Sequence, residues 1–141
     1  MSAKECELCL QEGGELLVRR TEWRVVLADE PDFPGFCRVI WNSHVREMTD
    51  LSAEQRQQMM AAVWAVEKSL RAVLQPQKIN LASLGNVTPH LHWHIIPRWQ
   101  TDSHFPAPVW AAKRRPPDLT CSKEQLVLLR QVIIKECADL K

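Results

Sequence analysis

Three of the five histidines in this 141-residue chain occur at alternate positions of one short apolar segment, His90–Pro97. Alternation with period two predicts a half-buried β-strand, and on such a strand all three imidazoles would lie on one face. Near neutral pH an imidazole can act as nucleophile, acid, base or metal ligand. The segment therefore predicts an enzyme. Two alternatives stay open: a polar strand face without chemistry, and a zinc site in which His92 and His94 chelate the ion.

A second cluster of reactive residues lies at the amino terminus, where Cys6 and Cys9 are separated by two residues. The chain has five cysteines, an odd number, and no sign of secretion. In a reducing compartment, such a pair is better explained by metal binding or simple packing than by a disulfide. We expect the other three cysteines to be packing residues.

Length and charge restrict the kind of protein this can be. With 45% apolar residues the chain can bury a core as one domain, residues 1–141, and the net charge of +1 gives no general attraction to nucleic acid or to a membrane surface. No apolar run approaches the roughly 20 residues of a membrane span, and the first residues lack a signal-peptide core. We therefore expect a cytoplasmic protein in which any contact with a polyanion is local.

Local patterns predict an α+β fold with an antiparallel sheet. The capping pair Ser52 and Gln55 begins a long helix that should end near Gln75, before a proline. Strands are predicted at Leu16–Val18, Trp23–Leu27, Phe36–Trp41, Lys78–Ser83 and His90–Pro97, an irregular proline-rich loop at 99–121, and a closing helix at 122–140. None of the four glycines belongs to a phosphate-binding loop, which excludes Rossmann and P-loop folds.

The run His90–Ile96, in which histidines alternate with apolar residues, resembles the signature of the histidine triad (HIT) superfamily of nucleotide hydrolases and transferases. Gly85-Asn86, Pro97-Arg98 and Pro34-Gly35 also resemble that family. The chain resembles bacterial members that cleave dinucleoside polyphosphates or other nucleotide conjugates. The resemblance implies a five-stranded antiparallel sheet, a homodimer, and attack on the α-phosphate of a nucleotide conjugate.

The resemblance also implies roles for individual residues. His92 would be the nucleophile that forms a covalent nucleotidyl-histidine, because a neutral imidazole presents a bare nitrogen. His94 would hydrogen-bond the phosphate and, as a cation, lower the pKa of His92. Asn86 would complete the catalytic set by donating its amide to a phosphate oxygen. Contacts to the rest of the substrate are expected from Asp29, Asn80, Gly85 and Arg98.

Zinc-binding members of the family carry their ligands at positions that correspond here to Cys6, Cys9, His44 and His90, so a structural Cys2His2 zinc site is predicted. Alternatively, the two cysteines are unligated near a frayed terminus. Magnesium bound to the substrate's phosphates is a further expectation, although no carboxylate cluster indicates a dedicated site.

Several functional alternatives remain at this point. The chain could be a nucleoside phosphoramidate hydrolase of the same superfamily, or a nucleotide- or zinc-binding module without turnover. Lys113–Arg115 could hold a polyphosphate tail or be an ordinary solvated charge run, and His104 could be a lid residue or a surface residue. Trp99 and Trp110, which flank the irregular loop, could stack on a base or be ordinary core residues.

Overall fold

A computed structural model describes residues 1–118 and 121–141. The elements are the strands β1 (Glu15–Arg19), β2 (Trp23–Leu27), β3 (Cys37–Trp41), β4 (Lys78–Ala82) and β5 (His92–Arg98), the helices α1 (Glu7–Leu10), α2 (Ala53–Leu74) and α3 (Lys123–Cys137), and the 3-10 turns Ala3–Glu5 and Met48–Asp50. The strands form one sheet in the order β1-β2-β3-β5-β4, with every neighbouring pair antiparallel. The predicted five-stranded antiparallel α+β fold is confirmed.

Helix α2 begins where the sequence predicts. The Ser52 hydroxyl accepts from the Gln55 N–H at 3.1 Å, and the Ser52 N–H donates to the Gln55 side chain at 2.9 Å, so two N–H groups at the helix start are satisfied. Gln75 ends the helix in a left-handed conformation, φ +49°, directly before Pro76. Helix α3 uses the same capping box at Ser122 but ends at Cys137, three residues earlier than predicted.

The two faces of the sheet have different coverings. Helices α2 and α3 bury one face, where Val39 and Ile95 pack against Val66 and Ile133. Because side chains alternate along a strand, His92 and His94 lie on the opposite face. On that face the cover consists of the amino-terminal segment, through Cys6 and Leu8, and of the loop after β5, through Val109. The site face is therefore covered by irregular chain rather than by a helix layer.

The prediction for the start of β5 is wrong. His90 precedes the strand, and its N–H donates to the Thr88 carbonyl at 2.8 Å in a turn that contains Pro89. The ladder to β3 begins with His92, which pairs with Ile40. Only His92 and His94 therefore share the strand face, and His90 is directed elsewhere.

The loop after β5 contains no helix or strand from residue 99 to 118, as predicted; positions 119–120 of the predicted loop lie outside the described residues. Across residues 1–118 and 121–141, none of the helices combines the length and apolar character that a membrane crossing needs.

Candidate active site and metal centre

A cavity of about 970 Å³ opens over the histidine face of the sheet. Its floor includes His92 and His94 on β5 and Arg38 on β3. The amino-terminal segment, the β4–β5 loop and the loop after β5 supply the walls, and the lining residues include Glu12, Gly13, Asp29, Gly85, Asn86, Pro108 and Trp110. Five of the predicted site residues, His92, His94, Asn86, Asp29 and Gly85, are thus brought together around one cavity.

The imidazole of His92 is held by a single backbone hydrogen bond. Nδ1 lies 2.5 Å from the carbonyl oxygen of His90, and because a carbonyl only accepts, Nδ1 carries the proton. Among the residues that the structure describes, none bonds Nε2, which is therefore a bare nitrogen. Burial lowers the pKa of His92, the bond to the His90 carbonyl opposes this, and the positive charge of Arg38 lowers the pKa further. The ring is neutral at pH 7.

His94 sits beside His92, with ring centroids 4.8 Å apart at an angle of 81°. Burial, His92 and Arg38 together lower the pKa of His94 to about 3. The expectation that His94 is the cation that lowers the pKa of His92 is therefore wrong: His94 is itself neutral at pH 7, and the neighbouring positive charge belongs to Arg38. The Nδ1 atom of His94 is buried and has no hydrogen-bond partner in the described part of the chain. A buried polar atom of this kind is usually satisfied by a water or a ligand.

Arg38 is a residue of this cavity that the sequence analysis missed. It pairs directly with His94 across the β3–β5 ladder, so the two side chains project from the same face. Its Nη1 donates to the Gly13 carbonyl at 2.9 Å, and Glu30 lies 3.8 Å from Nη2. The available signal was an arginine at an alternate position of an otherwise apolar strand, Cys37–Trp41.

The β4–β5 loop brings Gly85 and Asn86 to the cavity wall. Gly85 has φ +80°, a conformation that favours glycine, whereas an added Cβ would meet nothing closer than 3.6 Å. The requirement for glycine is therefore conformational rather than steric. Asn86 is exposed and lines the same cavity. Asp29, two residues after β2, is exposed on the same cavity.

Asn80 and Arg98 are not brought into this cavity. Arg98 is buried; its Nη1 donates to the Asn80 side-chain oxygen at 2.8 Å, and its Nε donates to Asp102 at 2.8 Å. The Arg98 donors that the prediction assigned to a substrate are thus used inside the protein, where they join the end of the sheet to the following loop, and Asn80 accepts one of them.

The same loop also holds the remaining candidates away from the cavity. His104 is buried, with Nδ1 2.7 Å from the Ser103 hydroxyl. Lys113 forms an exposed ion pair with Asp32 at 3.1 Å. Arg115 donates to the carbonyls of Asp102 and Phe105, each at 2.8 Å. Arg115 and His104 are therefore bonded within the loop, and Lys113 is paired outside the cavity.

Four potential metal ligands meet behind the cavity. The ligand atoms of Cys6, Cys9, His44 and His90 all lie within 4.8 Å of one another. Nδ1 of His90 is 3.3 Å from the Cys6 Sγ, 3.4 Å from the Cys9 Sγ and 3.3 Å from Nδ1 of His44. With zinc bonds of about 2.3 Å to sulfur and 2.0–2.1 Å to nitrogen, the edges of a tetrahedral site are about 3.3–3.8 Å. The distances from Nδ1 of His90 are close to these edges, so the four atoms are grouped closely enough to surround one ion.

The hydrogen bonds of the two histidines are compatible with a cation at this centre. Nε2 of His90 donates to the Trp41 carbonyl at 2.6 Å, and Nε2 of His44 donates to the Met1 carbonyl at 3.2 Å. Both Nδ1 atoms are then unprotonated, and their lone pairs face each other. Either an S–H proton from each neighbouring thiol or a cation between the ligands satisfies these lone pairs, and backbone carbonyls behind the ligands are the usual support of a bound metal. The residues present fit a metal ion.

A family model for the HIT domain matches residues 12–101, well over half of the chain. The chain belongs to the HIT domain family. In sequence it is 28% identical over 100 residues to an AP-4-A phosphorylase from Mycobacterium tuberculosis; the match covers 67% of this chain, and the chain spans about half (51%) of that relative's length.

Solved structures of the family share the fold. A histidine triad protein from Bradyrhizobium japonicum matches with a TM-score of 0.73 and 25% identity, covering 90% of this chain and 92% of that one. A Zn-bound histidine triad family protein from Mycobacterium smegmatis matches with a TM-score of 0.67 and 20% identity, covering 97% of this chain and 99% of that one.

Proposed function

We propose that this protein is a nucleotide hydrolase that cleaves dinucleoside polyphosphates or related nucleotide conjugates at the α-phosphate, through a covalent nucleotidyl-histidine at His92. One observation carries the proposal. The His90 carbonyl fixes the proton of His92 on Nδ1, so the bare Nε2 is the nitrogen available to a ligand in the cavity. A neutral, oriented imidazole is the form that attacks phosphorus.

The reaction proceeds in two displacements. Nε2 of His92 forms a bond to the α-phosphorus while the bond to the leaving oxygen breaks, and the leaving group departs with that electron pair. A water oxygen then bonds to phosphorus, the phosphorus–nitrogen bond breaks, and the nucleoside monophosphate is released. Each step is in line, so the oxygens of the phosphoryl group need support throughout.

The surrounding residues provide that support. Arg38 supplies positive charge beside His94, and the neutral His94 donates a ring N–H rather than a full charge. Asn86 donates its amide to a phosphate oxygen, and the backbone at Gly85 approaches the same group. Asp29 accepts from the ribose hydroxyls. Asn80 and Arg98 act indirectly, because they position the loop after β5.

Product analysis with diadenosine tetraphosphate tests the proposal. In water the enzyme should give AMP and ATP in equal amounts, and oxygen from ¹⁸O-labelled water should appear in the AMP. ATP that carries the label instead would mean that water attacks at the β-phosphate, which would contradict attack on the α-phosphate. Absence of turnover on this substrate and on adenosine 5′-phosphoramidate would contradict an enzymatic role and favour a binding module.

A second candidate is phosphorolysis, favoured by the 28% identity to the mycobacterial relative that is called an AP-4-A phosphorylase. The covalent intermediate would be the same, with inorganic phosphate replacing water as the acceptor. The product would then be ADP in place of AMP. Titrating phosphate into the assay and measuring the ratio of ADP to AMP separates the two acceptors.

A third candidate, a phosphoramidate hydrolase, differs only in the leaving group. The cavity is large enough for a nucleotide with additional substituents, at about 970 Å³. The ratio of kcat/KM for diadenosine tetraphosphate to kcat/KM for the phosphoramidate decides between these two hydrolases.

We further propose that the ion held by Cys6, Cys9, His44 and His90 is zinc, since thiolates with imidazoles suit zinc and a four-ligand site leaves no open position for substrate. A bound zinc would supply a structural crosslink between the amino terminus and the sheet. The Zn-bound relative from Mycobacterium smegmatis shares the fold. Elemental analysis of protein purified without chelators should find about one zinc per chain.

Magnesium on the substrate phosphates, a homodimer and a cytoplasmic location stay predictions. Activity with and without magnesium tests the first, and light scattering after size exclusion tests the second. A mass corresponding to one chain would contradict the dimer.

A further inference from the structure

Trp110 lines the cavity, with its indole against the ring of His94. Its ring centroid is 5.1 Å from that of His94, at an angle of 68°. About half of its surface, 51%, is exposed. Trp64 on helix α2 is equally exposed, at 50%, but does not line the cavity. Trp110 therefore differs from Trp64 in its position beside His94 and not in its exposure.

The loop that carries Trp110 is tightly bonded before that residue. Asp102 is fully buried and accepts from Nε of Arg98 at 2.8 Å and from the backbone N–H groups of His104 and Phe105 at 3.0 and 2.7 Å. Arg98 also donates to the Ala107 carbonyl at 2.7 Å. A buried, fully hydrogen-bonded ion pair of this kind fixes the backbone on the near side of Trp110.

The far side is held as well. Arg115 donates back to the carbonyls of Asp102 and Phe105, and the Ala111 N–H donates to the Pro108 carbonyl at 3.0 Å. Val109, next to Trp110, packs against the apolar cluster on the site face. Hydrogen bonds and apolar packing thus fix the loop on both sides of Trp110. The half-exposed indole is therefore held at the cavity by an ordered backbone.

His94 provides a second, independent sign of a ligand at this place. Its Nδ1 is buried and unpartnered among the described residues, so a bound group would complete its hydrogen bonding. In an in-line displacement the leaving group departs on the side of phosphorus away from the attacking His92 nitrogen. The indole packs against His94, and the proposed function puts the departing part of the substrate on this side of His92.

We propose that Trp110 is a specificity-determining residue: its indole stacks on a planar ring in the leaving part of the substrate, so the site selects leaving groups that carry a nucleobase. The inference rests on the proposed function and names the substrate class more narrowly, since a dinucleoside polyphosphate has a base on its leaving group and a simple phosphoramidate has none.

Turnover by Trp110→Ala, Trp110→Phe and the equally exposed control Trp64→Ala tests this selectivity. Stacking of a base on an aromatic side chain predicts that Trp110→Ala lowers kcat/KM for diadenosine tetraphosphate about 10-fold or more. For adenosine 5′-phosphoramidate, whose leaving group is ammonia, the change should stay below about threefold. Trp110→Phe should recover most of the loss, and Trp64→Ala should change neither substrate. Equal losses on both substrates, or no loss, would overturn the inference while leaving the proposed hydrolysis intact.

A binding measurement makes the test independent of turnover. In a His92→Asn background, calorimetry should show that Trp110→Ala weakens diadenosine tetraphosphate about 10-fold and leaves AMP within about threefold. If AMP weakens equally, Trp110 contacts the retained nucleotide, and the inference is wrong. If the protein binds neither nucleotide, both the inference and the proposed function are wrong, which distinguishes that outcome from the previous ones.

Discussion

His90 and His92 are two residues apart in one motif, and both are buried, yet they are prepared for different chemistry. Each donates one ring N–H to a backbone carbonyl, but from opposite nitrogens. His90 uses Nε2, toward Trp41, and His92 uses Nδ1, toward His90 itself. The free nitrogen is therefore Nδ1 in His90, which faces two thiols and a second imidazole, and Nε2 in His92. Under the proposed function, the carbonyl that each ring bonds, rather than the residue type, decides which histidine is placed to bind an ion and which to attack phosphorus.

The two histidines are also connected, because the carbonyl that orients His92 belongs to His90. Any ion bound at the metal centre would fix His90 and, through its carbonyl, the ring of His92. The amino-terminal segment has a second attachment that needs no metal. The buried Arg24 donates to the carbonyls of Leu8 and Glu12 at 2.7 and 3.0 Å. Loss of the metal should therefore change the orientation of the His92 ring, whereas the amino-terminal segment should stay in place as a wall of the cavity.

The largest effect should come from His92→Asn. This change removes the nucleophilic ring and should lower kcat by about 10⁴-fold or more, as for other covalent nucleophiles. Metal content should be unchanged, because His92 is not a ligand in the four-residue cluster. Steady-state kinetics and elemental analysis of the same preparation measure both. If His92→Asn loses its metal, or if it keeps a tenth of its activity, the proposal that His92 is the nucleophile and His90 the metal ligand is contradicted.

His90→Asn should give the opposite pattern. The metal should fall from about one per chain to near zero, and activity should fall only about 10- to 100-fold, the range found for groups that orient a functional residue. Cys9→Ser is the companion variant, since Cys9 is a ligand candidate outside the cavity lining. It should lose metal with a smaller loss of activity. Full metal retention in both variants would contradict the assignment of the cluster.

The lowered pKa of His94 predicts how the free energy of unfolding changes with pH. In the folded protein its pKa is lowered to about 3, against about 6.5 in an unfolded chain, so between these values the unfolded state binds more protons. The contribution of His94 to the free energy of unfolding is thus present above pH 6.5 and is lost progressively as pH falls toward 3. In His94→Gln the slope of that free energy over this range should be smaller, as measured by urea denaturation. An unchanged slope would mean that His94 is not buried as a neutral ring.

The smallest effect is expected outside the site. Lys113 pairs with Asp32 on the surface, and exposed ion pairs contribute about 0–1 kcal/mol. Lys113→Ala should change KM for a polyphosphate substrate by less than about twofold. A loss of tenfold or more would show that the cluster Lys113–Arg115 holds the phosphate chain, contrary to its place in this structure.

Sequence predicted best what local interactions determine. The start of α2 follows from Ser52 and Gln55, which satisfy each other within one turn, and the end of α2 follows from Pro76. The alternation of His92 and His94 correctly predicts a shared strand face. The fate of His90 was harder to predict, because the turn at Thr88 and the distant Cys6, Cys9 and His44 remove it from the strand.

Non-local partners explain the remaining differences. Arg98 follows the motif and has donors suited to phosphate, but its partner Asp102 lies in an irregular loop with no periodic signal. A buried ion pair and a substrate contact look alike in sequence. Arg38 was overlooked for the converse reason: its position on the site face depends on the pairing of β3 with β5, which one sequence does not reveal.

Trapping of the covalent intermediate tests the central claim most directly. Rapid mixing with diadenosine tetraphosphate labelled in the α-phosphate, a quench in base to preserve the phosphoramidate, and peptide mapping should find AMP attached to His92. The label should disappear as free AMP forms. Label on another residue such as His94, or turnover without any labelled protein, would contradict the account.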